Sequence, residues 1–293
     1  QMVDDHKAIS VMLSRGCPWK CKFCASAYST ARYYSDDVAI EMLSWLKNKG
    51  YRHFRFYDDT FIQRKNPMQK ADLKNLLEQI KELNITYRSN GRSDLIVRNI
   101  KNGNWILPLL KESGCVNMAY GIETGDQRVL DIYNKQETVE DHKIALAATV
   151  NAGIRTRAYL IVSPFDTLDS INKSIKLLLE TGVQEYSIFT FIPFPGTPFG
   201  DNLEYYKKTY GLKLLDGVDL NDYMNVFGQY EGGFVAETNE CSVDKYKAMH
   251  KYLVDTLERE LGSKWNKNKQ PYMDYLATRK KEEIENGHAI ENI

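Results

Sequence analysis

The chain has 293 residues, and its 39 lysines and arginines balance 39 aspartates and glutamates, so no net charge draws it toward nucleic acid or an anionic membrane surface. No run of about 18 apolar residues is present that could span a bilayer, and no basic stretch followed by an apolar region and a small-residue cleavage site marks a leader. Five cysteines are too few and too unevenly placed for a disulfide framework, which points to the reducing cytoplasm.

Short β-rich runs alternate with helical periodicity, the pattern of βα units around a parallel sheet. The first strand is predicted over 9–14, and a helix over 35–49 has Ser35 as N-cap and Gly50 as its stop. A strand over 52–57 is followed by a helix over 68–83, and a strand over 85–89 by a helix over 103–113. A fourth strand over 116–122 precedes a helix over 139–152, a fifth over 155–162 precedes a helix over 168–181, and a sixth covers 185–191. Six units are two short of a closed (β/α)8 barrel, so the expected fold is α/β, a partial (β/α)6 TIM-like barrel with a lateral gap. Ligand chemistry in such barrels gathers at the carboxyl ends of the strands.

Beyond Gly200 the pattern changes. Residues 1–200 are expected to form the barrel and 201–293 a mixed or helical C-terminal extension. Residues 205–235 are rich in tyrosine and glycine and are expected to form a mobile cap, with Tyr205, Tyr206, Tyr210, Tyr223 or Tyr230 supplying a pocket wall. Helical periodicity returns over 243–261, and the charged stretch 278–293 reads as solvated helix or tail. Gln1 ahead of Met2 reads as an expression scar or a trimmed terminus, so the natural protein is expected to extend upstream.

The strongest chemical signal follows the first strand. Cys17-Pro18-Trp19-Lys20-Cys21-Lys22-Phe23-Cys24 places three thiols within eight residues on one loop. Three thiolates so close together can take three corners of an iron-sulfur cube and leave the fourth iron open to a small chelating molecule. A structural zinc site needs four protein ligands, and the Cys21 and Cys24 pair has no second pair, since Cys115 and Cys241 are isolated. Core-filling cysteines are equally poor company for Pro18, Lys20 and Lys22.

The C-x3-C-x2-C spacing, with Phe23 before the third cysteine, resembles the signature of the radical S-adenosylmethionine (SAM) enzymes, and the likeness extends over about residues 9–200. The resemblance implies a partial barrel carrying a [4Fe-4S] cluster on Cys17, Cys21 and Cys24, with SAM chelating the open iron. Asp58 and Asp59, after Tyr57, stand where many relatives have a Gly-Gly-Glu segment that meets the SAM amino group, and resemble the Asp-Asp-x-Phe version of the cobalamin-associated branch. An acidic turn is the competing reading. Tyr120-Gly121-Ile122-Glu123-Thr124-Gly125 resembles a Gly-x-Glu-Ser-Gly segment, which places Glu123 beside the ribose or methionine of SAM. Asn134-Lys135 follows in the family's order. Ser163 and Phe165 replace glycines that pass near adenine in relatives, while Asp166-Thr167 reads as a helix cap. Arg92 and Arg157 are candidates for the SAM carboxylate, or else strand-end salt bridges. Phe194-Pro195-Gly196-Thr197-Pro198 resembles a turn bordering the active site.

The resemblance further implies a reductase such as flavodoxin as electron donor and a small-molecule or natural-product substrate from which a 5'-deoxyadenosyl radical takes hydrogen. Cobalamin is the third cofactor in play, although no Asp-x-His-x-x-Gly motif is present to bind it. Two alternatives stand beside this reading: the barrel of a cobalamin-dependent methyltransferase or ring-rearranging enzyme, and a non-enzymatic iron-sulfur or zinc module.

Overall fold

A computed structural model describes residues 8–222 and 233–262. Strands β1 (Ala8–Val11), β2 (His53–Phe56), β3 (Thr86–Gly91), β4 (Cys115–Glu123), β5 (Arg155–Val162) and β6 (Glu185–Thr190) form one six-stranded sheet in chain order. Every pairing is parallel. The sheet curls into a partial barrel, as six consecutive βα units require when a closed barrel needs eight.

Helices α1 (Asp36–Asn48), α2 (Leu73–Leu83), α3 (Ser93–Lys101), α4 (Ile106–Glu112), α5 (Gln127–Ile132), α6 (Val139–Asn151) and α7 (Leu168–Thr181) connect the strands. Their limits follow local chemistry. Ser35 caps α1 by accepting from Val38 N, and Thr167 caps α7 through a capping box, with Gly182 ending the helix in the left-handed region. Leu73, Leu76, Leu77 and Ile80 form the buried face of α2 at helical spacing. In β5, Thr156, Ala158, Leu160 and Val162 are buried toward the helices, and the alternate residues Arg155, Arg157, Tyr159 and Ile161 take the other face.

Several boundaries depart from the periodicity. The helix expected over 68–83 begins at Leu73, because Asp72 is its N-cap and Pro67–Gln69 form a separate 3-10 turn. The helix expected over 103–113 is preceded by α3, and α5 precedes α6. Both extra helices are short and contain β-branched residues, so neither announces itself by propensity. The first strand stops at Val11, and Ser14–Arg15 pairs instead with Arg32–Tyr33 in a small antiparallel ribbon that closes the cysteine loop.

The extension is bound into the barrel. Helices α8 (Pro198–Asp201) and α9 (Leu203–Tyr210) are followed by a ribbon of Lys213–Leu214 with Ala236–Glu237, and residues 243–262 are helical. Tyr246 donates its hydroxyl proton to Val162 O and accepts from Phe191 N, tying that helix to the carboxyl ends of β5 and the sixth unit. Tyr206 is buried with Tyr133, Phe165, Phe191 and Phe199 in a second apolar cluster under the cysteine loop, so it is packing, and Tyr205 is exposed. Tyr223, Tyr230 and the stretch 278–293 lie outside the described residues.

Candidate active site around the cysteine loop

The cysteine loop leaves β1 and is held by the two acidic residues that follow β2. Leu13 N donates to Asp58 Oδ2 at 3.2 Å, and Ser14 Oγ donates to Asp58 Oδ1. Gly16 N donates to Asp59 Oδ2 at 2.9 Å. Gly16 has φ +90°, and a Cβ there would lie 2.6 Å from Thr30 O, so the turn into the loop requires glycine. Asp58 is buried, and both of its carboxylate oxygens accept from the loop. Desolvation by burial raises its pKa, partly offset by the bonds from Ser14 and Leu13.

Within the loop, Cys17 N donates to Ser29 Oγ, Ser29 N to Cys17 O and Cys24 N to Cys21 O. Neighbouring segments clamp it from outside: Lys22 N donates to Tyr133 O at 2.8 Å, Asn134 Nδ2 to Lys20 O at 2.7 Å, and Phe199 N to Lys22 O at 3.3 Å. The last contact gives the Pro-Gly-Thr-Pro turn its place, since Thr197 caps the short helix that carries Phe199. Phe23 packs edge-on against Tyr133, with ring centroids 5.1 Å apart.

Beneath the loop lies a buried ionic network. Lys135 Nζ is 2.9 Å from Glu123 Oε1 and 3.4 Å from Glu137 Oε2. Arg92 is 3.0 Å from Asp94 and 3.5 Å from Glu137, donates to Lys135 O, and stacks on the Trp19 ring, 3.9 Å from its centroid. Burial disfavours the Lys135 ammonium, but Glu123 and Glu137 outweigh it and its pKa rises. Burial likewise works against the Glu137 carboxylate, yet Lys135 and Arg92 hold its pKa below the usual range. Glu123 adopts φ +63°, a left-handed conformation costing on the order of 1 kcal/mol for such a side chain. A Cβ at Gly121 would sit 2.4 Å from Glu123 Oε1 and 2.9 Å from Lys135 Nζ, so the missing side chain makes room for this ion pair. Gly125 has a different reason: a Cβ there would meet the α7 backbone at Lys173, 2.6 Å away.

The donor set suits a cluster. Cys21 is buried, and Cys17 and Cys24 are half-buried. Burial pushes the Cys21 thiol up while Lys135 and Arg92 pull it down, and burial also raises Cys24. Iron bound to these sulfurs would favour the thiolate form that desolvation opposes. Among the described residues no three His, Cys, Asp or Glu side chains converge on one ion position. A four-iron cluster makes no such demand, because each of three thiolates binds a separate corner.

The other candidates divide. Arg92 and Glu123 stand directly under the loop. Ser163 is fully buried and donates to Asp166 Oδ2 through both its N and its Oγ; burial lifts the Asp166 carboxyl to about 6. Arg157 pairs with Glu185, and five residues of strand at 3.3 Å each place its backbone about 16 Å below the carboxyl end of β5. Tyr57, half-exposed, lines with Arg157 a cavity of about 230 Å³ in the barrel lumen. Trp19, Lys135 and Glu137 were not singled out by sequence reasoning. Trp19 and Glu137 take their places through Arg92, 73 and 45 residues away in the chain, and Lys135 through Glu123, 12 residues earlier; only the family-like order of Asn134-Lys135 hinted at one of them.

The profile of the radical SAM superfamily matches residues 11–178, more than half of the chain. An uncharacterized methyltransferase of Pyrococcus horikoshii is 28% identical over 193 residues, covering 64% of this chain and 40% of that protein. Anaerobic magnesium-protoporphyrin IX monomethyl ester cyclase of Rubrivivax gelatinosus is 26% identical over 267 residues, 85% of this chain and 46% of the cyclase. The chain thus spans less than half the length of these relatives. In fold it resembles the cobalamin-dependent SAM radical enzyme OxsB, solved with aqua-cobalamin and SAM (TM-score 0.63, 18% identity, 83% of this chain and 40% of OxsB). It also resembles the radical SAM methyltransferase TsrM from Kitasatospora setae, solved with cobalamin and a [4Fe-4S] cluster (TM-score 0.57, 15% identity, 81% of this chain and 45% of TsrM). With the three-cysteine loop at the carboxyl end of β1 and the profile match across the barrel, the chain belongs to the radical SAM superfamily.

Proposed function

We propose that the chain holds a [4Fe-4S] cluster on Cys17, Cys21 and Cys24 and uses SAM to abstract hydrogen from a small-molecule or natural-product substrate in the cytoplasm. The observation that carries this reading is the position of the cysteine loop, clamped over the buried Lys135, Glu123, Glu137 and Arg92 network at the mouth of the barrel. When bound and reduced by a donor such as flavodoxin, the cluster supplies the electron that cleaves SAM to methionine and a 5'-deoxyadenosyl radical.

The protein's own groups orient and exclude. Asp58 and Asp59 fix the entry to the loop, and because both Asp58 oxygens are engaged there, the SAM ammonium would be received by other acceptors at the end of β2. Glu123, held by Lys135, presents its free carboxylate edge to the ribose or the methionine end of SAM. Arg92 acts on the cofactor indirectly, by holding Trp19 and the Lys135 backbone in place. Phe23 on Tyr133 shields the loop from water, and Ser163 forms part of the wall.

The test is anaerobic reconstitution with iron and sulfide, followed by SAM and a chemical reductant. A brown protein that releases 5'-deoxyadenosine is expected. A protein that binds iron and SAM but leaves SAM intact would overturn the reading. A second reading, a barrel that works with cobalamin as a methyltransferase or ring-rearranging enzyme, is favoured by the names of its relatives and by its covering under half of their length. Retention of cobalamin by the reconstituted chain, or by the chain mixed with a separate cobalamin-binding domain, would select it.

A further inference from the structure

Below the cysteine loop, strand register sorts the concave face of the barrel into layers. Arg55 on β2 is the in-register partner of Arg88 on β3, Arg88 of Asn117 on β4, and Asn117 of Arg155 on β5. One step higher, Asn90 pairs with Ala119, and Ala119 with Arg157, which Glu185 neutralises. Above that, Gly121 pairs with Tyr159, and Tyr159 with Ser187. In-register residues of a parallel sheet share a face, and every second residue of a strand returns to it. Tyr57, two residues beyond Arg55, and Phe189, two beyond Ser187, therefore join Tyr159 on the concave side.

These rings are left uncovered. Tyr57 is 57% and Phe189 52% exposed, and Tyr159 lies edge-on to Phe189 with centroids 5.9 Å apart. In a closed barrel bulky branched side chains fill such a layer; here β4 contributes only Ala119 to the floor between Tyr57 and Tyr159, which line one cavity of about 230 Å³. Deeper in the same cavity is Asn117. It is 5% exposed, and its carboxamide makes no hydrogen bond to any described residue. A buried amide without partners is costly, because its oxygen and nitrogen have both given up water. The oxygen accepts and the nitrogen donates, so this group matches a neutral edge that offers both, as an amide or a lactam does.

We infer that this cavity is a recognition subsite for a planar unsaturated ring on the substrate, held between Tyr57 and the Tyr159 and Phe189 pair, with a neutral amide-like edge on Asn117. The inference rests on the proposed function, in which the substrate enters the lumen beneath the cofactor. Aromatic side chains favour offset-stacked or edge contact with a flat ring, and apolar walls with a few fixed polar groups are the usual make-up of a small-molecule site. The cavity is smaller than the roughly 300–1,000 Å³ that encloses a drug-sized ligand, so it takes one ring and leaves the remainder of the substrate extending toward the cysteine loop. Ala119 lies four residues, about 13 Å of strand, below Glu123, so a ring anchored there would select one C–H bond of that remainder for presentation to the radical.

The test is ligand-observed NMR titration of the full chain with four probes. Benzamide carries the ring and the edge, cyclohexanecarboxamide keeps the amide without the flat ring, and methyl benzoate and benzoate keep the ring but change the edge. Benzamide is expected to bind about threefold or more tighter than each of the others. Asn117→Leu, close in volume, should weaken benzamide by about fivefold or more and leave methyl benzoate within about twofold. Tyr57→Ala should weaken both benzamide and methyl benzoate by about threefold. No binding of benzamide, equal binding of cyclohexanecarboxamide or methyl benzoate, tighter binding of benzoate, or wild-type affinity in Asn117→Leu would each overturn the subsite. Should Asn117→Leu fail to fold, Tyr57→Ala changes an exposed side chain, and unchanged benzamide affinity there would count equally against it. Benzamide binding with these losses, in a chain that fails to cleave SAM, would reject the proposed function and keep the subsite.

Discussion

Two charged regions share the concave side of this barrel, and they are built in opposite ways. Under the cysteine loop, Lys135 and Arg92 are buried among Glu123, Glu137 and Asp94, with every cation in contact with a carboxylate. In the lumen below, Arg155 and Arg157 both engage Glu185, on a more open surface. The first arrangement binds distant segments together, so removing one partner strands a buried charge. The second shares one carboxylate between two cations of the same strand, so removing one of them leaves Glu185 still paired. Depth of burial and the number of partners decide what the loss of a charge costs here.

The largest expected effect lies above both regions. Cys21→Ala should abolish cluster retention and SAM cleavage, while Cys115→Ala and Cys241→Ala retain them; burial pushes those two thiols up to about 12 and about 11, which keeps them protonated and inert. Iron and sulfide analysis decides, and unchanged iron in the Cys21 variant would remove the cluster assignment.

The two regions should then part in stability. Lys135→Met leaves Glu123 and Glu137 buried without their ammonium and should cost about 3–5 kcal/mol, whereas Arg88→Gln should change stability by less than about 0.5 kcal/mol. Urea unfolding of both variants measures the difference, and equal midpoints would erase the proposed contrast.

His142, at the back of the loop network, sharpens it through pH. Burial lowers its pKa from 6.5 to about 4, and its Nδ1 is hydrogen-bonded to Ser93 Oγ. The neutral ring is the folded form, so its contribution is complete above pH 6.5 and is lost as pH falls toward 4, by up to about 3 kcal/mol. Asp166, lifted to about 6, gives the opposite slope between about pH 4 and 6. Subtracting the His142→Gln profile from that of the wild type isolates the histidine, and parallel profiles would show that it titrates normally.

The smallest effect concerns Glu123. Glu123→Gln should leave iron content unchanged and weaken SAM binding by about tenfold through loss of charge-assisted hydrogen bonds. Wild-type affinity in a titration would confine Glu123 to its role as partner of Lys135.

Much of this was legible in the chain. The strand over 155–162 and the helix over 168–181 match β5 and α7 residue for residue, because alternation and an i, i+3, i+4 stripe with a threonine cap are local patterns. Helices α3 and α5 were not legible: each is short, and burial against neighbours outweighs weak propensity. Asp58 and Asp59 stood out as candidates for the cofactor's amino group, yet their carboxylates grip Leu13, Ser14 and Gly16 some 45 residues earlier in the chain.

The sequence by itself determined the cysteine spacing, the order of six βα units and hence the end of the sheet at which the three thiols sit, since each depends on residues close together in the chain. Only the tertiary structure decided that Lys135 meets Glu123 across a glycine gap, that Arg92 lies under Trp19, and that Arg55 and Arg88 stand side by side. Those meetings depend on strand register and on how loops from different units close over one another. A shift of one residue in register would turn each arginine to the opposite face, and no local pattern in the chain specifies which partner it then finds.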